Sequence, residues 1–111
     1  MNENYWFWIK SLSDVIFDFA DAPENVIHRI GEKISVPEDL MNELDHWYET
    51  LNSNEITIKN SLSTLIQYIL TTSNKYDGSA DEFWTNQGFH NHPDWLMIRN
   101  KCREYIKNTY F

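Results

Sequence analysis

Residues 37–51, PEDLMNELDHWYETL, contain the clearest helix signal in the chain. Pro37 suits the first turn of a helix, and the polar stretch 52–54 predicts where the helix ends. The apolar side chains recur every three or four residues and therefore share one side of the helix: Leu40, Met41, Leu44, Trp47, Tyr48 and Leu51. The segment therefore predicts an amphipathic helix with one face against a core.

The same period continues on both sides of this segment. It predicts five more helices, over residues 5–20, 23–33, 55–72, 80–86 and 93–108. Ser79 and Glu82 match a capping box that opens the short helix over 80–86, and Gly88 closes it. Residues 56–58 alternate like a strand, which leaves the start of the fourth helix open. We expect an all-α fold, a single helical domain over residues 1–111, built as a compact bundle or orthogonal array of about five to six helices.

Composition restricts the class of protein further. The chain has 111 residues, of which 41% are hydrophobic and 15% aromatic, so it holds enough apolar surface for one core. Its single cysteine, Cys102, excludes an intrachain disulfide. The first residues lack the basic stretch of a secretory signal, and no run of about 18 apolar residues exists. We expect a cytoplasmic protein with no cofactor and no membrane partner.

Charge is strongly segregated along the chain. Residues 1–58 hold twelve acids and three bases, a balance of −9, whereas residues 59–111 hold five acids and six bases, a balance of +1. The two halves sum to the net charge of −8. A surface of one sign attracts and orients a partner of the opposite sign. The acidity argues against nucleic acid as the partner and favours a basic protein.

The first predicted helix combines acids and aromatic rings on the side opposite its apolar stripe. At 100° per residue, Asp14, Asp18 and Asp21 point away from the core, Phe7 and Phe17 point outward with them, and Trp6 lies near the edge. Exposed rings beside acids are typical of protein-binding surfaces. The alternative is that another helix covers these rings, because a helix apolar nearly all round is usually buried.

The helix over 37–51 carries a second acidic face, without any lysine or arginine. Its candidate binding residues are Glu38, Asp39, Asn42, Asp45, His46 and Glu49. Like charges three or four residues apart destabilise a helix slightly, which suggests another use for them. The alternative is an ordinary solvated face that keeps the protein soluble.

Other residues give weaker functional signals. Arg99, Lys101, Arg103 and Lys107 occupy the last helix, where bases complement the helix dipole or pair with acids of the first half. The stretch 90–94, HNHPD, superficially resembles a metal-ligand cluster, but His92 before Pro93 is better explained as a helix-entry residue. Cys102 lies on an apolar stripe, and no phosphate-binding loop or catalytic motif is present. We therefore expect neither an enzyme nor a metal site.

In size, acidity and helical class, the chain resembles the immunity proteins of bacterial toxin systems, which protect against nuclease bacteriocins or contact-dependent growth inhibition toxins. The Tyr-Tyr-Pro stretch of the helical colicin DNase inhibitors is absent, so that subfamily is not indicated. The resemblance implies a toxin inhibitor that neutralises a basic nuclease domain, such as an RNase, by protein–protein interaction. The alternative is a phage or plasmid DNA-mimic inhibitor of a nucleic-acid-binding protein. The sequence leaves the oligomeric state open and slightly favours a monomer.

Overall fold

The computed structural model describes residues 4–111, which contain six α-helices, one short 3-10 turn and no strand. The predicted all-α fold is confirmed. The helices are α1 (Tyr5–Ala20), α2 (Pro23–Ile30), α3 (Val36–Ser53), α4 (Asn60–Asn74), α5 (Asn86–Asn91) and α6 (Pro93–Tyr110), and the 3-10 turn spans Glu82–Trp84.

Four long helices surround the core. Both α1 and α4 pack against α3 and against α6, so α3 and α6 lie at opposite corners of the arrangement. The short α2, α5 and 3-10 turn close one end. Phe19 of α1 stacks on Trp95 of α6 with ring centroids 5.6 Å apart, and Phe83 stacks on the same indole at 4.6 Å. Each such ring, when fully buried, contributes about 1.5–3 kcal/mol of transfer free energy.

The link between α3 and α4 differs from the prediction. The fourth helix begins at Asn60 and not near residue 55. Glu55 adopts a left-handed conformation, with φ of 56°, and the amide of Ile56 donates to the carbonyl of Leu51 at 3.0 Å. This six-to-one bond is the Schellman motif that terminates helices, and residues 56–58 after it have no regular secondary structure.

The segment over 79–91 also differs from the prediction. Ser79 and Glu82 form no capping box, because the Ser79 hydroxyl donates to the carbonyl of Tyr76 and the Asp81 carboxylate accepts from the amide of Phe83. Gly88 lies inside α5 instead of closing a helix. A Cβ atom at this position would come 1.8 Å from the carbonyl oxygen of Glu82, so only glycine fits between the 3-10 turn and α5.

Two further helix boundaries follow from local chemistry. The second helix stops at Ile30, three residues before the predicted end, because Gly31 adopts a φ of 136°. His92 caps the start of α6 by accepting a hydrogen bond from the amide of Asp94 at 3.1 Å. This confirms its interpretation as a helix-entry residue.

Candidate protein-binding surface

The outer face of α3 presents its acids to solvent. Ser35 caps the helix by accepting from the amide of Glu38, and the apolar stripe over 40–51 turns the opposite face outward. Five of the six residues predicted on this face are exposed, and Asp39 is half-buried: Glu38, Asp39, Asn42, Asp45, His46 and Glu49. Within residues 4–111, no ion pair involves an acid of α3.

The electrostatics of Glu43 show how closely these acids approach one another. Partial burial raises the pKa of Glu43, and repulsion from Asp39 and Asp18 raises it further, while His46 opposes the rise. Asp18 belongs to α1, so the acidic faces of α1 and α3 adjoin along their contact. A cationic partner would relieve this repulsion on binding.

The acids of α1 are in a different situation, because bases from the same half of the chain reach two of them. Lys10 pairs with Asp14 at 2.9 Å, one helical turn away, and Arg29 of α2 pairs with Asp18. Asp21 accepts hydrogen bonds from the amide of Ala22 at 2.8 Å and from the side chain of Asn25 at 3.3 Å. Burial raises the pKa of Asp18, Arg29 lowers it, and the neighbouring acids Asp14 and Asp21 raise it again.

The three aromatic side chains singled out on α1 are exposed, so no other helix among the described residues covers them. The exposed fractions are 71% for Trp6, 60% for Phe7 and 44% for Phe17. Their outward orientation is confirmed, whereas their role in binding stays a prediction.

These rings lie in two separate places. The Phe7 ring packs edge-on against Trp47 of α3, with centroids 5.4 Å apart, and His46 contacts the same indole at 4.6 Å. Phe17 instead contacts Tyr110 of α6 at 5.5 Å. Asp45 and Glu49 lie about 160° around α3 from Trp47, because each is two residues away from it. We use the name acidic–aromatic surface for this contact together with the exposed acids of α3: Phe7, Glu38, Asp45, His46, Trp47 and Glu49.

Three of the four bases of α6 contact other parts of the fold. Arg99 is buried and donates to the carbonyl of Phe89, and Arg103 donates to the carbonyl of Ala20 at 2.7 Å. Burial lowers the pKa of Arg99, and the nearby Arg103 adds to that effect. Lys101 lies over the ring of Tyr68 at 4.8 Å. The structural interpretation of Arg99 and Arg103 is confirmed. Among the described residues no base of α6 forms an ion pair with a first-half acid, although the charge of Glu24 acts on Arg99 and partly offsets the lowering of its pKa.

The cysteine and histidine considered above for catalysis or metal binding are buried in the core or bonded to other side chains of the fold. Burial raises the pKa of Cys102 to about 12, which makes its thiol a poor nucleophile. His92 Nε2 lies 3.5 Å from Asp81 Oδ1, and the Tyr76 hydroxyl donates to Asp94, which raises the pKa of Tyr76 to about 12. Residues 4–111 bring no three His, Cys, Asp or Glu side chains together as metal ligands.

A concavity beside Trp84 offers little for a small ligand. Its volume is about 280 Å³, and its lining comprises Glu38, Met41, Asn42, Asp77, Gly78, Ser79 and Trp84. Its lining does not include His90 or Trp95, two other ring side chains of the same part of the chain. Trp95 is buried, and its indole donates to the carbonyl of Phe83 at 2.7 Å.

The sequence patterns do not reveal two features, one in this surface and one in the core. Trp47 was assigned to the core stripe, yet it is half-buried and its ring supports the exposed Phe7. Trp47 directly follows His46, a residue of the polar face, and this position near the edge of the stripe was the signal in the sequence that Trp47 could be only partly buried. Sequence reasoning groups Arg99 with the other bases of the last helix and does not single out its burial, although Arg99 follows Trp95 by four residues and precedes Cys102 by three, which puts it on the buried stripe.

Comparison of the chain with protein-family models, with curated proteins and with solved structures gave no match. The resemblance to immunity proteins therefore stays an expectation from size, charge and helical class. No helix among residues 4–111 is both long enough and apolar enough to cross a bilayer.

Proposed function

We propose that this protein is a cytoplasmic immunity-type inhibitor that binds and neutralises a basic bacterial toxin domain, with an RNase as the favoured class. The observation that carries the proposal is the acidic–aromatic surface. The acids of α3 lack a cationic partner within residues 4–111, and the exposed Phe7 ring packs on Trp47 at the flank of α3 that faces α1.

The mechanism follows from charge and apolar burial acting in sequence. A nuclease must attract phosphates, so its substrate groove is cationic, and the α3 face would draw that groove toward it. Ion pairs from Glu38, Asp45 and Glu49 would then fix the orientation. Phe7, held at a fixed angle by Trp47, would fill an apolar pocket and supply much of the affinity.

DNA mimicry is the second candidate, because the α3 acids repeat along one helix face in the way that carboxylates replace phosphates. The exposed Phe7 and Trp6 rings favour the toxin inhibitor, since a phosphate backbone has no aromatic counterpart. In a DNA mimic, substituting Phe7 would leave the affinity unchanged. In a toxin inhibitor, Phe7→Ala should weaken binding at least tenfold.

The direct test uses the product of the gene that precedes this one. Producing that protein in bacteria should arrest growth, and co-production of the inhibitor should restore it. The variant Asp45→Lys/Glu49→Lys should protect poorly. The matched control is Glu24→Lys/Glu104→Lys, which makes the same change in net charge at exposed positions on α2 and α6 and should protect fully. A neighbour that forms no complex with the wild-type protein, or equal protection by both variants, would overturn the proposal.

A further inference from the structure

A groove at the carboxyl ends of α1 and α6 is distinct from the acidic–aromatic surface. Its volume is about 430 Å³. Its lining includes the apolar side chains of Phe17, Ala20, Ile106 and the almost fully exposed Phe111, and the charged side chains of Asp18, Asp21, Arg29, Arg103 and Lys107. We call this place the charge-mixed groove. Tyr110 extends the exposed aromatic area beside it, in contact with Phe17.

The two walls of the groove carry opposite charge. Asp18 and Asp21 come from the end of α1, whereas Arg103 and Lys107 come from α6. Asp18 is already paired with Arg29, and Arg103 is already bonded to the Ala20 carbonyl. Asp21 and Lys107 have no ion pair within residues 4–111, and the hydrogen bonds that Asp21 accepts from Ala22 and Asn25 both reach its Oδ1 atom. Each wall therefore keeps one charge without an ion-pair partner.

From this arrangement we propose that the charge-mixed groove is the interface of a symmetric homodimer. A two-fold axis along the groove would bring each acidic wall opposite the basic wall of the second copy, and the apolar floors would face each other. Asp21 of one copy would then meet Lys107 of the second copy, twice per dimer. A purely basic partner fits less well, because it would meet Arg103 and Lys107.

The dimer leaves the proposed function intact. The groove belongs to the ends of α1 and α6, while the acids of α3 lie on the helix corner opposite α6. A dimer would therefore present two acidic–aromatic surfaces. The sequence slightly favours a monomer, so a dimer would differ from that expectation. Phe17, Asp18 and Asp21, which the sequence predicts to contact the toxin, would instead lie at the contact between the two copies.

The test measures mass by light scattering during gel filtration of the purified chain. Over loads from about 10 μM to about 1 mM, the mass should rise from 13.3 kDa toward twice that value. Phe17→Glu, at an exposed position, should keep the protein monomeric with unchanged helical circular dichroism. A wild-type mass that stays at the monomer value throughout would overturn the proposal.

Charge reversal gives the sharper test. Lys107→Glu places an acid opposite Asp21, and Asp21→Lys places a base opposite Lys107, so each variant alone should weaken dimerisation about tenfold or more. Mixing the two variants pairs Asp21 with Lys107 at one contact and the two new charges at the other. The mixture should therefore regain most of the wild-type dimer, which a folding defect could not produce. Single variants that dimerise normally, or a mixture that stays monomeric, would refute this pairing.

Discussion

The helices α3 and α6 have the same length of 18 residues and the same proline near the start, yet they use their charges in opposite ways. The acids of α3 make no ion pair within residues 4–111. In α6, Arg99 and Arg103 bind backbone carbonyls of α5 and α1, and Asp94 accepts from Tyr76. The comparison teaches that charge segregation along a sequence does not imply internal neutralisation. Arg99, Arg103 and Asp94 of α6 use their charges to hold the fold together, whereas the acids of α3 remain available.

The largest effect should come from removing a charge that the fold uses. Arg99→Ala leaves the Phe89 carbonyl without its donor and empties a buried volume, so unfolding by urea should become easier by about 1.5–3 kcal/mol. Asp45→Ala on α3 is the matched control, and its effect should lie within about 0.5 kcal/mol of zero. An equal loss of unfolding free energy in the two variants would show that the charges of α3 and α6 contribute equally to stability, contrary to this comparison.

The next effect concerns association with the basic partner. Asp45→Lys/Glu49→Lys should slow the association rate constant at low salt at least tenfold and flatten its dependence on ionic strength. Asp14→Lys/Asp18→Lys should slow it less, because Lys10 and Arg29 already offset those two acids. Stopped-flow measurement across a salt series checks both, and unchanged rates in both double variants would discard the electrostatic model.

The smallest effect should appear in stability against pH. The folded-state pKa of Glu43 is raised, so stability is lost as the pH rises from the ordinary glutamate value through the raised one. Glu43→Gln removes this loss together with the repulsion from Asp39, and it should stabilise the protein at neutral pH by about 0.2–0.5 kcal/mol. The gain should vanish in acid below the ordinary glutamate pKa.

Glu104→Gln supplies the opposite control for that experiment. Glu104 lies three residues from both Lys101 and Lys107 on α6, so its neutralisation should be neutral or slightly destabilising. A stabilisation at both positions would show that glutamine simply suits an exposed helix better than glutamate, independent of neighbouring charge.

Periodicity predicted the long helices well because their pattern is local. The bounds of α1 were predicted to the residue, and the apolar stripe of α3 is buried or half-buried as expected. The predicted outer residues of α1 and α3 could be placed for the same reason, since a helix fixes the direction of each side chain once its buried stripe is known.

The region over 79–91 could not be predicted, because distant contacts determine it. The side chain of Asn86 accepts from the amide of Val36 at 2.8 Å and donates to the carbonyl of Ile34 at 2.9 Å, fifty residues earlier. Ser35 donates to the carbonyl of Trp84 at 2.6 Å. No local pattern encodes these bonds. The same holds for the charge-mixed groove, which forms only when the ends of α1 and α6 meet.

The diagonal placement of α3 and α6 has a kinetic consequence. Negative charge concentrated at one corner and a positive excess at the other give the molecule a permanent electric dipole. In the field of a cationic body the molecule would rotate before touching it, so most encounters would begin with α3 in front. A fluorescent label or a surface tether attached to the solvent side of α6 would then point away from the cationic partner and would not obstruct its binding.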